Sequence, residues 1–225
     1  MRTLLITGTD TEIGKTVVTL SLIAYWYKYH SQERLGIMKL MQTGKPKDSD
    51  RYQALFPLQQ APELIAPVSY DSPIAPPLAA EKEGQPVDLT TIWEVLTTLS
   101  QNREFILMEA LGGLGSPVTW EMTVADLAAA WRLPVVLVVP VKLGAIGQTV
   151  ANVALAQQKR VQIKGIILNC LTPEAQAQQN DWAQPELIQN LCPVPILGTI
   201  PYLDDPTDVE KLAFVASNLE LEYLW

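Results

Sequence analysis

Apolar residues fall along this chain in short continuous runs, not in the strict alternation of a strand with one wet face. Thr3 to Thr7, Leu35 to Met38, Phe105 to Met108, Pro134 to Val139, Gly165 to Leu168 and Ile196 to Ile200 are each too brief for a helix. Their β-branched and apolar character predicts strands buried on both sides. Between them, longer stretches predict helices at Thr16 to Tyr29, Leu89 to Leu99, Thr123 to Trp131, Thr149 to Lys159, Glu186 to Leu191 and Asp208 to Leu219. Buried strands that alternate with helices imply an α/β fold, a mostly parallel sheet with helices on both faces. Ligands of such sheets sit at the carboxyl ends of the strands. The apolar stripe of the first helix reads as core packing.

The least regular segment is Pro57 to Pro86, which holds seven of the seventeen prolines and reads as loops and short helical turns. No repeat, low-complexity tract or linker interrupts the pattern. With 225 residues, 48% apolar and 18% charged, the chain reads as one domain over residues 1–225 with a single sizeable core. The formal net charge of -8 argues against nucleic-acid binding through the phosphate backbone, which needs clustered lysines and arginines. An anionic ligand must then be met by a few placed cations. Cys170 and Cys192 have no CxxC spacing and only His30 to join them, so no zinc site is expected and both read as reduced core thiols. The N-terminus runs directly into the first strand without a signal-peptide pattern. The longest apolar stretch, Leu133 to Val141, is about half the length that spans a bilayer as a helix. A soluble, cytoplasmic protein with no membrane partner is the expectation.

The chemistry is carried by Gly8-Thr9-Asp10-Thr11-Glu12-Ile13-Gly14-Lys15-Thr16, placed after a strand and before an apolar helix. That is the context of a P-loop, so the domain is expected to be P-loop NTPase-like. The N–H groups of Glu12, Ile13, Gly14, Lys15, Thr16 and Val17 would wrap the phosphates of ATP at a helix N-terminus, where unpaired donors and the macrodipole favour anions. Lys15 would reach the β- and γ-phosphates, and the Thr16 hydroxyl would bind Mg²⁺. The usual motif places four residues between the first glycine and Gly-Lys; here five separate Gly8 from Gly14.

With that extra residue the segment resembles the signature of the dethiobiotin synthetase family, and the likeness continues through most of the chain. Gly36-Ile37-Met38-Lys39 followed by Gln42-Thr43-Gly44 is similar to the family's second segment, Ile106-Leu107-Met108-Glu109 with Gly112-Gly113 to its third, and Val141 to Ile146 to its dimer-interface segment. The resemblance implies a reaction that closes a cyclic urea from 7,8-diaminononanoate, CO2 and ATP, through a carbamate and its mixed anhydride with phosphate. It implies Lys15 and Lys39 as catalytic cations, Thr11, Thr43 and Gly112 at the substrate, and Thr16, Asp50 and Glu109 on Mg²⁺. Asn169, Pro201 and Tyr202 would meet the purine, and a homodimer would complete the sites near Gly144 to Thr149. Without the family, Lys39 would read as a solvated strand-end lysine, Asp50 as a surface acid, and Thr11 and Thr43 as loop threonines capping backbone groups.

The chain departs from the family pattern at five positions. Leu40 stands where proline is usual, Ala110 and Leu111 replace a glycine and an alanine, Gly147 stands where asparagine is common, and Pro77 where histidine often ends its segment. If the third segment keeps the family path, Ala110 and Leu111 would be strained by a left-handed backbone. A switch ATPase of the partitioning type shares these elements, but such enzymes carry a second lysine early in the loop, where Thr9-Asp10-Thr11 stands here. An amidoligase of the cobyrinic acid type and an inactive nucleotide-binding relative are the remaining alternatives.

Overall fold

The computed structural model describes residues 2–224. Its elements in chain order are β1 (Thr3–Gly8), α1 (Lys15–Tyr29), β2 (Leu35–Lys39), β3 (Gln42–Thr43), α2 (Asp48–Leu55), α3 (Pro62–Ile65), β4 (Ser69–Tyr70) and α4 (Pro76–Glu83). There follow α5 (Leu89–Asn102), β5 (Phe105–Gly113), α6 (Val124–Ala130), β6 (Val135–Pro140), α7 (Ala145–Lys159), β7 (Ile163–Asn169), α8 (Pro173–Ala177) and α9 (Gln179–Trp182). The chain closes with α10 (Pro185–Leu191), β8 (Ile196–Ile200) and α11 (Val209–Ala216).

Six strands form one sheet in the order β2-β5-β1-β6-β7-β8, and every pairing is parallel. The continuous apolar runs are explained by cover on both faces. Successive residues of one strand belong to different cores: Leu5, Met38, Met108 and Val139 pack on one side, and Leu4, Ile6, Leu107 and Val138 on the other. Because β1 lies between β5 and β6, the chain first builds outward through β2 and then crosses back to build through β8. The carboxyl ends at that switch form the crevice where ligands of such sheets bind.

The six expected strands are all present, and β5 runs beyond the expected Met108 to Gly113. That extension corrects the strain expected at Ala110 and Leu111. The only non-glycine residues with positive φ among the described residues are Glu12, Arg132 and Arg160, so neither position takes the left-handed backbone, although the pairing with β1 is irregular here, passing from Ile6 opposite Glu109 to Gly8 opposite Gly113. Gly112, at φ +50°, carries the left-handed backbone instead. Leu40, in place of the usual proline, lengthens the same pairing: its N–H donates to the Glu109 carbonyl at 2.8 Å, a bond proline could not make.

The hydrophobic pattern missed α2, the strands β3 and β4, and the short helices α8 and α9. α2 is short and largely polar, with only Ser49 and Tyr52 buried. The two-residue strands β3 and β4 make a separate parallel pair, tied to α2 by Gln42, which donates to Ser49 Oγ at 2.8 Å. α7 also starts four residues earlier than Thr149, at Ala145 after the left-handed Gly144. Among the described residues no helix is long and apolar enough to cross a membrane. Cys170 and Cys192 are free, buried thiols.

Ala110 is fully buried inside a strand. Ala110→Gly, which restores the family residue, is therefore expected to lose stability: about 0.5–1 kcal/mol from backbone freedom, with roughly as much again for the buried methyl. Urea unfolding measures this, and a midpoint at or above that of the wild type would count against the unstrained strand.

Candidate active site

The first helix starts at Gly14, whose φ of +84° only glycine adopts cheaply, and no side chain caps it. Among the three longest helices, α5 is capped by Asp88, whereas α1 and α7 both begin at a left-handed glycine with no side-chain cap. The first N–H groups of α1 are thus left for an anion. A Cβ on Gly14 would lie 2.0 Å from Asn169 Nδ2, so the loop is closed from behind by β7. From the other side, a Cβ on Gly113 would lie 2.8 Å from the Gly8 carbonyl oxygen, a backbone contact that cannot yield. Glycines shape the cradle at both of these approaches.

Behind the loop, a charge cluster joins β2, β5 and α2, with Lys39 and Glu109 buried and Asp48 partly exposed. Register places Glu109 opposite both Ile6 of β1 and Lys39 of β2. Lys39 Nζ donates to Glu109 Oε1 at 2.7 Å and to Asp48 Oδ2 at 2.5 Å. Thr16 Oγ1 lies 3.0 Å from both Asp48 Oδ1 and Glu109 Oε1. Tyr52 donates its phenol proton to Glu109 Oε2 at 2.5 Å. Lys15 Nζ donates to the Asp10 carbonyl at 2.8 Å.

The electrostatics follow from burial and neighbours. Desolvation lowers the Lys15 ammonium to about 8, with Glu109 working in the opposite direction. Burial also acts against the Lys39 ammonium, but the Glu109 and Asp48 carboxylates outweigh it and its pKa is raised. Burial acts against the Asp48 carboxylate, yet Lys39 holds its pKa below the usual range. Burial, followed by the charges of Glu109 and Asp48, pushes the Tyr52 phenol well above its ordinary value, so it remains a donor.

Magnesium fits this donor set. A single Thr16 proton faces two carboxylate oxygens, so three hard oxygens converge, and of the three Glu109 Oε1 also accepts from Lys39. Among the described residues no group of three or more His, Cys, Asp or Glu side chains is placed to hold a metal alone. That accords with Mg²⁺, which keeps waters and phosphate oxygens alongside one or two carboxylates.

The structure brings Lys15, Thr16, Lys39 and Glu109 together, but the aspartate that joins them is Asp48 rather than Asp50. Asp50 is exposed, and no side-chain hydrogen bond or ion pair ties it to the cluster. Two residues along a helix differ by roughly 200° in direction, so only one of the pair can face the cluster. Asn169, expected at the purine, is buried, and its amide Nδ2 donates to the Ile13 carbonyl at 2.9 Å and holds the loop. Glu12 is exposed with φ +54°, Ile13 is buried, and Val17 half-buried. Thr11 is exposed, bonded through its N–H to Asp10 Oδ1 at 2.7 Å, and its methyl carbon lies 3.5 Å from where a Cβ on Gly112 would stand. Thr43 lies half-buried in β3, Pro201 is half-buried, and exposed Tyr202 donates its N–H to Gln176. Tyr52 and Ser116, which accepts from the Gly113 N–H at 2.8 Å, were not among the expected site residues. The i, i+4 spacing of Asp48 and Tyr52 on one face of a helix was the available signal for Tyr52.

Beside the loop opens a cleft of about 410 Å³, walled by Thr9, Asp10, Ser116, Pro117, Asn152 and Leu155. It joins the P-loop and the end of β5 to α7, with polar and apolar walls.

Comparison with known proteins narrows the reading. A family described as an AAA domain matches residues 2–210. In fold, the chain is similar to the ParA family ATPase of Chlorobium tepidum, with TM-score 0.57, 15% identity and 98% and 92% of the two chains covered. It is also similar to the MinD cell division protein of Aquifex aeolicus, with TM-score 0.57, 15% identity and 95% and 87% covered. At such identity the likeness establishes the P-loop α/β fold alone. In sequence, it is 54% identical to the ATP-dependent dethiobiotin synthetase of Gloeothece citriformis, over 100% of this chain and 99% of that protein. The enzyme of the same name from Crocosphaera subtropica is also 54% identical, over 100% of both. With full-length identity of this order and an uncapped glycine loop set on a Lys-Asp-Glu cluster, the chain belongs to the ATP-dependent dethiobiotin synthetase family.

Proposed function

We propose that this chain, an ATP-dependent dethiobiotin synthetase of biotin biosynthesis by family, closes the ureido ring from 7,8-diaminononanoate and CO2 through a carbamate and its mixed anhydride with phosphate. The observation that carries the reading is the convergence of Thr16, Lys39, Asp48 and Glu109 directly behind the phosphate loop.

Every stage of that reaction concentrates negative charge, so the protein's part is positioning and charge stabilisation. The uncapped N–H groups of Glu12 to Val17 hold the phosphates. Lys15, already stripped of most of its water, presents an ammonium without first having to desolvate. Lys39 keeps its proton between two carboxylates and faces the same crevice. Thr16, Asp48 and Glu109 would hold Mg²⁺, which when bound offsets charge on the phosphate oxygens. The cleft between Thr9, Ser116 and Leu155 has an apolar wall for a methylene chain and polar groups near the loop, which suits the diamine. Asn169 supports nucleotide binding by fixing the loop, and Pro201 and Tyr202 stand as purine contacts.

The cleft is walled on one side by α7, and exposed apolar residues stand just before and within that helix, Leu143 at 82% and Val150 at 37%. Both favour a homodimer whose second copy covers this side and brings its own Gly144 to Thr149 segment to the site.

Three outcomes test the proposal. Protein supplied with 7,8-diaminononanoate, bicarbonate, Mg²⁺ and ATP is expected to yield the mass of the cyclic urea, and Lys15→Ala to turn over on the order of 10²–10³ more slowly. No cyclic urea from the wild type would sink the activity. In the same assay Asp48→Asn should raise the Mg²⁺ requirement by at least the roughly tenfold cost of losing even an outer metal partner. Asp50→Asn should leave it nearly unchanged, and the reverse ranking would return the metal role to Asp50. Light scattering at assay concentration should give a particle of twice the chain mass; a fully active monomer would remove the shared site.

A further inference from the structure

Tyr52 is fully buried, and its ring packs in the apolar core on the α1 side of the sheet. A phenylalanine would fill that space equally well, so the hydroxyl is the part that needs explaining. It ends 2.5 Å from Glu109 Oε2, the one oxygen of that carboxylate to which neither Lys39 nor Thr16 is bonded. The division is clean: Oε1 faces Lys39 and Thr16, Oε2 faces Tyr52.

We infer that Tyr52 is a positioning residue for the metal-binding carboxylate, holding Glu109 Oε2 so that only Oε1 is presented beside Thr16 and Asp48. This rests on the reading of Glu109 as a metal ligand. A free carboxylate can turn either oxygen, or both, toward a cation. One held by a phenol on its far side cannot, and a small octahedral ion with little tolerance for distortion gains from that constraint. The geometry of α2 makes the device economical. Asp48 and Tyr52 stand one helical turn apart, so one short helix delivers a carboxylate to the cluster and, four residues on, the donor that orients the other carboxylate. The helix is fixed in turn by Gln42, which donates to Ser49 Oγ and accepts from the Ser49 N–H at 3.3 Å.

The test is Tyr52→Phe, with Mn²⁺ as the metal probe and ADP present, reading unbound Mn²⁺ by electron paramagnetic resonance. Loss of an outer partner of a metal ligand costs about 10-fold or more in affinity, and that weakening is expected here. ADP binding without metal, measured by calorimetry, should be unchanged, which a general loosening of the core would not allow. Tyr52→Met, which fills the core but offers no donor, is expected to weaken Mn²⁺ to a similar degree and serves if the phenylalanine variant does not fold. Glu109→Gln is run alongside. If Tyr52→Phe binds Mn²⁺ as the wild type does while Glu109→Gln does not, the positioning role is overturned and the metal reading survives. If neither variant differs from the wild type, the metal reading fails and the inference with it. Equal losses of metal-free and metal-dependent binding in Tyr52→Phe would assign the residue to the core alone.

Discussion

The constraint on which the site depends is the burial of Lys39 between two carboxylates. Only 3% of Lys39 and 1% of Glu109 is exposed, and taking such groups out of water costs several kcal/mol per ion unless geometry and hydrogen bonds compensate. The compensation here is dense, since each carboxylate oxygen that Lys39 does not reach has a hydroxyl partner, Thr16 for Asp48 and Tyr52 for Glu109. Removing Lys39 would leave the Glu109 carboxylate buried without its counter-charge, which typically costs roughly 3–5 kcal/mol. A hydrophobic triad of equal volume would be as stable or more so. The cluster is therefore better understood as a device for function, which the fold is rigid enough to hold.

That rigidity comes from parallel register. Lys39 and Glu109 are direct partners on β2 and β5, and Glu109 is also opposite Ile6 on β1, two residues before the loop begins. Three strand ends thereby fix the acid, one cation and the root of the phosphate loop in a single frame. The bond from the Leu40 N–H to the Glu109 carbonyl continues the frame one residue past the paired strands. Since strands buried on both faces cannot slip without exposing a whole apolar row, the spacing between charged groups is as firm as the core.

Against that frame the phosphate-binding side is built from omissions. The start of α1 has no side-chain cap, the glycines at 14 and 113 have no Cβ where neighbours would meet one, and the loop is held from behind by Asn169. An unsatisfied helix terminus beside the Lys39-Asp48-Glu109 cluster is costly in an empty protein and useful to an anion. The same economy repeats at α7, whose glycine start borders the wall of the open cleft.

Much of this was legible in the sequence because the signals are local. Runs of apolar residues determine doubly buried strands wherever they occur, and Gly-Lys-Thr between a strand and a helix determines a phosphate loop without reference to the rest of the chain. Glu109 is marked by the same logic, as an acid ending an apolar strand, whereas Lys39 by itself reads as a solvated strand-end lysine and is marked by the family resemblance. What depends on direction was not legible. Asp48-Ser49-Asp50 offers two aspartates, and the choice between them rests on how a short polar helix with little hydrophobic periodicity docks against β3, through the pairing of Gln42 with Ser49. The strain expected at Ala110 and Leu111 failed for a related reason: whether β5 stops at Glu109 or runs on to Gly113 is decided by pairing with β1 at Gly8, a contact more than a hundred residues away. Tyr52 gains its place in the site only through packing, which sets its hydroxyl on Glu109. Composition and motif determined the kind of site, because hydrophobic burial and glycine geometry act over a few residues; only the tertiary structure decided which side chains complete it, because hydrogen bonds between distant segments have no signature along the chain.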